Sequence, residues 1–274
     1  MARGLNSEIE PIPLAFWRWS VATALVFPLT IKSIVAQRSI LIRHVPYLLT
    51  LSILGITIFN TLIYVGGQTS SALNLSLISI TFPVFTIVLS RVFYGIPITS
   101  NKIVGVIIIV AGVVLLLTKG DLGMLLRLSF VEGDLWMLLA SFIFALYSLM
   151  VRQRPVEIQP LSFLGTSFLV GWLFLALIFF IATDRIPLSS YQPITISGVL
   201  YIGIFASVIA YFLWNRSVDL IGPTQASMIY YLIPLFSGIL AFLFLREKVS
   251  LIHFFSGALI LSGIWMATKQ STLP

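Results

Sequence analysis

Cysteine is absent from this chain of 274 residues, which excludes both a disulfide framework and a thiolate metal site. Histidine occurs only twice, as His44 and His253, too far apart in sequence to suggest a metal centre. Charge is scarce too. Charged residues make up 9% of the chain and hydrophobic residues 59%, against about 25% and about 45–50% in soluble domains. One soluble core cannot bury that much apolar sequence beneath a wetted, polar exterior. Intrinsic disorder is excluded by the same imbalance, since it goes with low hydrophobicity and high charge. The formal charge of +7 comes from basic residues placed singly between apolar runs. No basic block or stripe exists for phosphates to follow, so no nucleic-acid partner is expected. Glycine-rich phosphate loops are missing, which argues against direct ATP use, and no cofactor is expected. The first twelve residues are mixed and polar, without the basic start of a cleavable signal peptide.

What the chain has in abundance is apolar sequence in membrane-length runs; its mean hydropathy is +1.08. A helix needs about 20 apolar residues to cross a ~30 Å hydrocarbon layer. Nine runs meet that test: Pro13–Ile31, Tyr47–Gly66, Ser71–Phe93, Ser100–Leu117, Asp134–Val151, Leu161–Thr183, Ile194–Asn215, Gly222–Leu245 and Leu251–Thr268. Most connections between them are short, as at 67–70 and 246–250; Lys32–Pro46 and Lys119–Gly133 are longer. The expected fold class is all-α, a polytopic helix bundle in a lipid bilayer.

An internal repeat runs through the chain. Shifted by 151 residues, the halves align without a gap from about residue 47 to residue 119. Pro83 falls on Pro234, Ser76 on Ser227, Phe85 on Phe236, Leu89 on Leu240, Phe93 on Phe244 and Gly112 on Gly263. Upstream, Ile9-Glu10-Pro11 matches Ile158-Gln159-Pro160 with a small indel. The second half holds five spans and the first four, so the counterpart of Asp134–Val151 would precede Met1. The expectation is a chain that lacks its first helix, through a late start codon, a truncated chain or a degenerate gene, with a native nine-helix form as the alternative. Alternation places Lys32, Arg38, Arg43, Arg91, Lys102, Arg152, Arg154, Arg216 and Lys269 on one side. It places Arg3, Lys119, Arg127, Arg185, Arg246 and Lys248 on the other. Nine against six favours the first side as cytoplasmic. An odd number of helices per repeat inverts the two halves, the architecture of many secondary transporters with a midplane site. The predicted domains are 1–119 and 133–270: two inverted five-helix repeats, the first reduced to four helices.

At these residues the chain resembles EamA-domain exporters of the drug/metabolite transporter superfamily. The resemblance rests on Pro13-Leu-Ala-Phe-Trp-Arg18, on Ser71–Gly95 around Pro83, and on Gly133-Asp-Leu-Trp136 with Ala145-Leu-Tyr147. It rests equally on Ala210-Tyr-Phe-Leu-Trp-Asn215 and on Ala226–Gly263 with Pro234 and Arg246-Glu-Lys-Val-Ser250. It covers essentially the whole chain. The resemblance implies ten helices in two inverted five-helix repeats that move small metabolites, often amino acids or drugs, across the inner membrane. One departure is visible: Ile96 stands in Gly95-Ile-Pro97 where a glutamate is usual, while Glu247 keeps it in the second half.

Candidate site residues follow from their placement. Pro83 and Pro234 lie deep inside spans and free the carbonyls of Ser79 and Tyr230. Such carbonyls must face protein or a water-filled cavity, which suits a gating or hinge role, an inert kink being the alternative. Arg18 is a cation near a span end: a substrate or gate contact, or an anchor snorkelling to the interface beside Trp17 and Trp19. Asn60, Tyr64 and Asn74 in the first half, and Tyr211, Trp214, Gln225 and Tyr230 in the second, are the candidates for binding a polar solute in a mostly apolar pocket, as are Trp136 and Tyr147. Inter-helix hydrogen bonding is the alternative for each. Asp219 and Arg216 are placed to pair across a short turn. Few fixed charges point to neutral, zwitterionic or amphipathic solutes. The functional expectation is a secondary transporter that exports small organic metabolites (amino acids, drugs or similar neutral or zwitterionic solutes) by alternating access between two repeats. An inactive fragment and a membrane-embedded lipid-modifying enzyme are the alternatives, though no acid, base or metal cluster supports catalysis.

Overall fold

The computed structural model describes residues 8–121, 123–184, 186–236 and 251–269. Among the described residues there are helices and turns and no strand. Eight helical stretches are long and apolar enough to cross a membrane: α1 Pro11–Ala36, α2 Val45–Thr69, α3 Ala72–Tyr94, α4 Ser100–Leu117, α5 Glu132–Arg152, α6 Pro160–Ala182, α7 Pro193–Phe236 and α8 Leu251–Thr268. α7 has 44 residues, which at ~1.5 Å per residue is about 66 Å, twice the hydrocarbon thickness. It is interrupted at Gly222, whose φ of 79° and ψ of 163° are not helical. Glycine reaches that backbone without strain, and Pro223 directly after it is suited to a first helical turn. Gly222 therefore divides α7 where the hydropathy runs Ile194–Asn215 and Gly222–Leu245 part; the latter run continues beyond the described residues. The connection expected over Lys32–Pro46 is shorter than the hydropathy suggested, because α1 continues to Ala36 and a short helix, Arg38–Arg43, follows.

Apolar helices gain no hydrophobic drive from one another in lipid, so close backbone approach and polar contacts decide their pairing. α4 and α8 pair through small residues. A Cβ on Gly105 would lie 2.7 Å from the Gly263 carbonyl, and one on Gly112 would lie 2.9 Å from Ile260. The two helices therefore run antiparallel. α1 and α6 do the same. Trp172 Nε1 donates to Ser20 Oγ at 2.8 Å, Ser33 and Ser162 hydroxyls meet at 2.6 Å, and the Gln159 N–H reaches Gln37 Oε1 at 2.9 Å. In both pairs the members are mates under the internal shift. α5 is the buried centre, packed on α2, α3 and α7. Outward-facing Leu29, Val92, Ile181 and Phe254 are exposed, as lipid-facing side chains are.

The prolines break their helices in the same way. In α3 the α-helical hydrogen-bond pattern is interrupted at Ile80, whose N–H donates to the Leu77 carbonyl at 3.3 Å, between segments Ala72–Ser79 and Thr81–Tyr94. In α7 the 3-10 turn Tyr230–Leu232 takes the corresponding place. The two breaks touch: the Tyr231 hydroxyl donates to the Ile80 carbonyl at 3.1 Å, and these residues are 151 apart. A second paired irregularity lies deeper. α2 contains a π-helical segment at Ile53–Ile58 and α7 one at Ile202–Ile209. The shift carries the first onto 204–209, inside the second.

Candidate functional site

The π-helical segments position the polar centre of the bundle. Widening to an i→i+5 pattern leaves carbonyls poorly served by their own helix, and such segments, rare in helices generally, occur frequently at functional sites. Gly55 lies in the first. Its carbonyl accepts from Asn60 Nδ2 at 3.1 Å and also from the Tyr211 hydroxyl. Asn60 Nδ2 donates to that same hydroxyl at 2.9 Å, again across 151 residues. Ala206 is the mate of Gly55. Its carbonyl accepts from a terminal nitrogen of Arg18 at 2.7 Å, and Ser207 Oγ accepts from Arg18 Nε at 2.6 Å. The other terminal nitrogen donates to the Tyr64 hydroxyl at 2.6 Å. On the far side of the Asn60–Tyr211 contact, Tyr147 donates to Asn215 Oδ1 at 2.8 Å. Tyr64 and Asn215 are themselves mates under the shift. A ladder of polar groups thus runs from Arg18 and Tyr64 through Asn60 and Tyr211 to Tyr147 and Asn215.

Aromatic rings wall this ladder. Phe144 stacks on Phe59 at 4.2 Å and on Tyr147 at 5.6 Å, and its ring centroid lies 5.2 Å from that of Trp214. Phe82 reaches Trp214 and Tyr230, with centroids at 5.6 and 5.0 Å. Gly55 admits Tyr147 to the π segment, because a Cβ there would lie 2.8 Å from Tyr147 Cγ. Trp19 is fully buried between Phe168 and Tyr211.

The structure thus gathers Arg18, Asn60, Tyr64, Tyr147, Tyr211, Trp214 and Tyr230, with Pro83 beside Phe82 at the edge. Asn74, Trp136 and Gln225 lie elsewhere. Asn74 donates to the carboxylate of Asp134, which also accepts from Ser70 Oγ and the Val131 N–H. Asp134 is 1% exposed at the start of α5, where a carboxylate suits the positive helix end. Trp136 Nε1 donates to Glu132 at 3.1 Å, one turn away. Gln225 is exposed at the opposite end of the bundle, beside Pro97 and Lys102. Two expectations are corrected. Of the two roles left open for Arg18, the snorkelling anchor is the one that falls: Arg18 is 8% exposed, with its guanidinium turned inward onto Ser207, the Tyr64 hydroxyl and the Ala206 carbonyl, and Trp19 is fully buried. Asp219 pairs with Arg154 at 2.8 Å, not with Arg216, since the end of α5 reaches it across the bundle.

Residues that sequence reasoning passed over include Ser207, Phe82, Phe144 and the carbonyls of Gly55 and Ala206. A cavity of about 130 Å³ opens at the Arg154–Asp219 end between α6 and α7, bounded by Phe163, Phe212 and Arg216, and reaches Asn215 at the foot of the ladder. At the other end the Trp17 indole donates to the Ile186 carbonyl at 3.3 Å. Nearby, burial pushes the Tyr191 phenol above its ordinary value, and the Glu10 carboxylate adds to the shift. Among the described residues no group of three or more His, Cys, Asp or Glu is placed to hold a metal. The ladder offers hydrogen-bond donors and acceptors, one cation and an aromatic wall, an equipment for binding a small solute.

Comparisons with known proteins agree with that equipment. The profile described as "EamA-like transporter family" matches residues 1–118 and 131–269. "Uncharacterized transporter YyaM" of Bacillus subtilis is 26% identical over all of this chain and 90% of its own length. An "Uncharacterized transporter" of Archaeoglobus fulgidus is 27% identical over 96% of this chain and 89% of its own. A protein of Streptantibioticus cattleyicolor named "Probable terminal-alkyne amino-acid exporter" is 22% identical over 84% of this chain and 75% of its own. One solved crystal structure superposes with a TM-score of 0.74 at 18% identity, covering 97% of this chain and 90% of that one, a likeness of fold.

Proposed function

This chain belongs to the EamA-like transporter family, and from that premise we propose that it exports small organic metabolites across the cell membrane by alternating access between two inverted repeats, 1–119 and 133–270. It is a multi-pass membrane transporter; the direction, the solute and the boundaries of the repeats are the proposal. The observation that carries it is the contact between mates. Asn60 meets Tyr211, and Ile80 meets Tyr231, each pair 151 residues apart. Residues related by an internal symmetry touch each other only beside its axis, so the polar ladder lies between the halves, where a midplane site of an inverted-repeat transporter belongs. The antiparallel packing of α1 on α6 and of α4 on α8 supports the same inversion.

The parts take roles accordingly. Asn60, Tyr64, Tyr147, Tyr211, Trp214 and Tyr230 form the binding surface. The breaks at Ile80 and at Tyr230–Leu232, set by Pro83 and Pro234, let each half bend. The end bearing Arg152, Arg154 and Arg216 faces the cytoplasm, and the cavity beside Asn215 is the way in. The amino-acid exporter named among the relatives makes zwitterions a natural first class of solute. Purified protein in liposomes preloaded with unlabelled amino acids should take up labelled amino acid by counterflow. Asn60→Ala or Tyr230→Ala should lower the rate about tenfold, the loss of about 1.4 kcal/mol of transition-state stabilisation, while membrane insertion is kept. Wild-type flux in both variants would remove those residues from the binding surface.

A further inference from the structure

We infer that Arg18 is the countercharge for a carboxylate on the transported solute, an inference that rests on the transporter reading above. A guanidinium inside the bilayer is expensive unless an anion or a dense set of acceptors meets it. Arg18 is buried, and its three hydrogen-bond partners among the described residues, Ser207 Oγ, the Tyr64 hydroxyl and the Ala206 carbonyl, are all neutral. Among the described residues the carboxylates are engaged elsewhere or stand at helix ends. Asp134 is held by Ser70 and Asn74, Asp219 by Arg154, Glu157 by His44 and Glu132 by Trp136. Glu10 is exposed before the first turn of α1. Among the described residues, the positive charge at the Arg18 end of the polar ladder therefore has no anion as its partner.

The geometry suits a carboxylate. Guanidinium carries five N–H groups in a planar fork, and the three bonds above use one from each nitrogen, leaving one on each terminal nitrogen. Two such N–H groups match the two oxygens of one carboxylate. A second donor stands beside them: the Trp19 indole N–H is buried with no hydrogen-bond partner among the described residues, and its ring lies 5.7 Å from the Arg18 guanidinium carbon. Tyr211 and Phe168 pack against that ring, so an apolar body attached to the carboxylate finds aromatic faces. One cation neutralises one negative charge, which favours a carboxylate over a phosphate dianion. Strictly neutral solutes drop out of the expected range; anions and zwitterions stay in it.

The experiment compares matched solutes. Binding to the detergent-purified full chain is measured by thermal shift and calorimetry for N-acetylalanine and N-acetylphenylalanine, each beside its uncharged amide. Counterflow of the same four compounds is followed in liposomes. The carboxylates should bind about 10- to 100-fold more tightly than their amides, the range of charge-assisted hydrogen bonding. Arg18→Gln should abolish that preference, and Arg18→Lys should keep its sign with a smaller ratio. A structural role alone would lower stability in both variants without changing the carboxylate-to-amide ratio. Should Arg18→Gln fail to fold, the wild-type ratio and Arg18→Lys still decide. Equal binding of acid and amide overturns the inference, as does a preference that survives in Arg18→Gln or a shift that follows chloride and ignores carboxylate. Flux of the amides alone would keep the transporter and discard the countercharge; carboxylate binding without flux of any compound would do the reverse.

Discussion

At the scale of single residues, the ladder works because polar groups of one helix find partners on its mate in the other half, as Asn60 does on Tyr211. Tyr211 is the clearest case, since its hydroxyl serves both the Gly55 carbonyl and Asn60. Tyr211→Phe removes both contacts and keeps the ring between Trp19 and Tyr147. Membrane hydrogen bonds are worth about 0.6 kcal/mol on average and about 1.7 at most, so reversible unfolding in mixed micelles should show a loss of about 1–2 kcal/mol. No measurable loss would mean that the π segment holds without its side-chain donor. Asp134 belongs to a different task. Asn at this position has one acceptor oxygen for three donors, from Ser70, Asn74 and the Val131 backbone. Asp134→Asn should therefore cost about 1–3 kcal/mol in the same unfolding assay and leave solute affinity unchanged. A change in affinity at full stability would bring Asp134 into the site.

Among the elements, the helices were legible from hydropathy and the paired prolines announced the breaks in α3 and α7. Their exact place was not: the break falls at Ile80, and its carbonyl, rather than that of Ser79, receives the Tyr231 hydroxyl. The π segments were illegible for a plain reason. One extra residue in a helical turn changes no composition and no run length, and Ile53–Ile58 reads as any apolar stretch. Without that extra residue Asn60, Tyr64 and Tyr147 can be chosen by residue type but not assembled, and Asn74, Trp136 and Gln225 look equally good. The prolines give a test at this scale. Pro83→Ala with Pro234→Ala should slow turnover while solute binding stays measurable; unchanged turnover would reduce both breaks to packing features. The α4–α8 contact is the control element. Gly105→Leu places a side chain where Gly263 and Ala267 stand and should destabilise the fold without selectively altering solute preference.

For the whole molecule, the absence of cysteine becomes an experimental convenience. Ser33 and Ser162 already touch, with hydroxyls 2.6 Å apart between α1 and α6. Ser33→Cys with Ser162→Cys in this background should form a disulfide under mild oxidation, with no competing thiol. If the halves rock past one another, the bridge should stop counterflow and a reductant should restore it. Full flux in the bridged protein would confine the motion to other helices. The repeat itself was readable in the sequence; that its mates would meet face to face was not, because a shift of 151 residues says nothing about where an axis runs.

That meeting has a thermodynamic corollary. Were every pair of mates identical, exchanging the shapes of the two halves would give a state related to the first by the two-fold axis and equal to it in energy, and the two orientations would be equally populated. Asn60 and Tyr211 differ, and so do the groups on the paired carbonyls: a tyrosine and an amide grip Gly55, a guanidinium grips Ala206. Each 1.4 kcal/mol of that inequality tilts the resting ratio of the orientations tenfold. On the alternating-access reading proposed above, an empty protein would then wait with one door open, on the side set by the unequal grips on the Gly55 and Ala206 carbonyls.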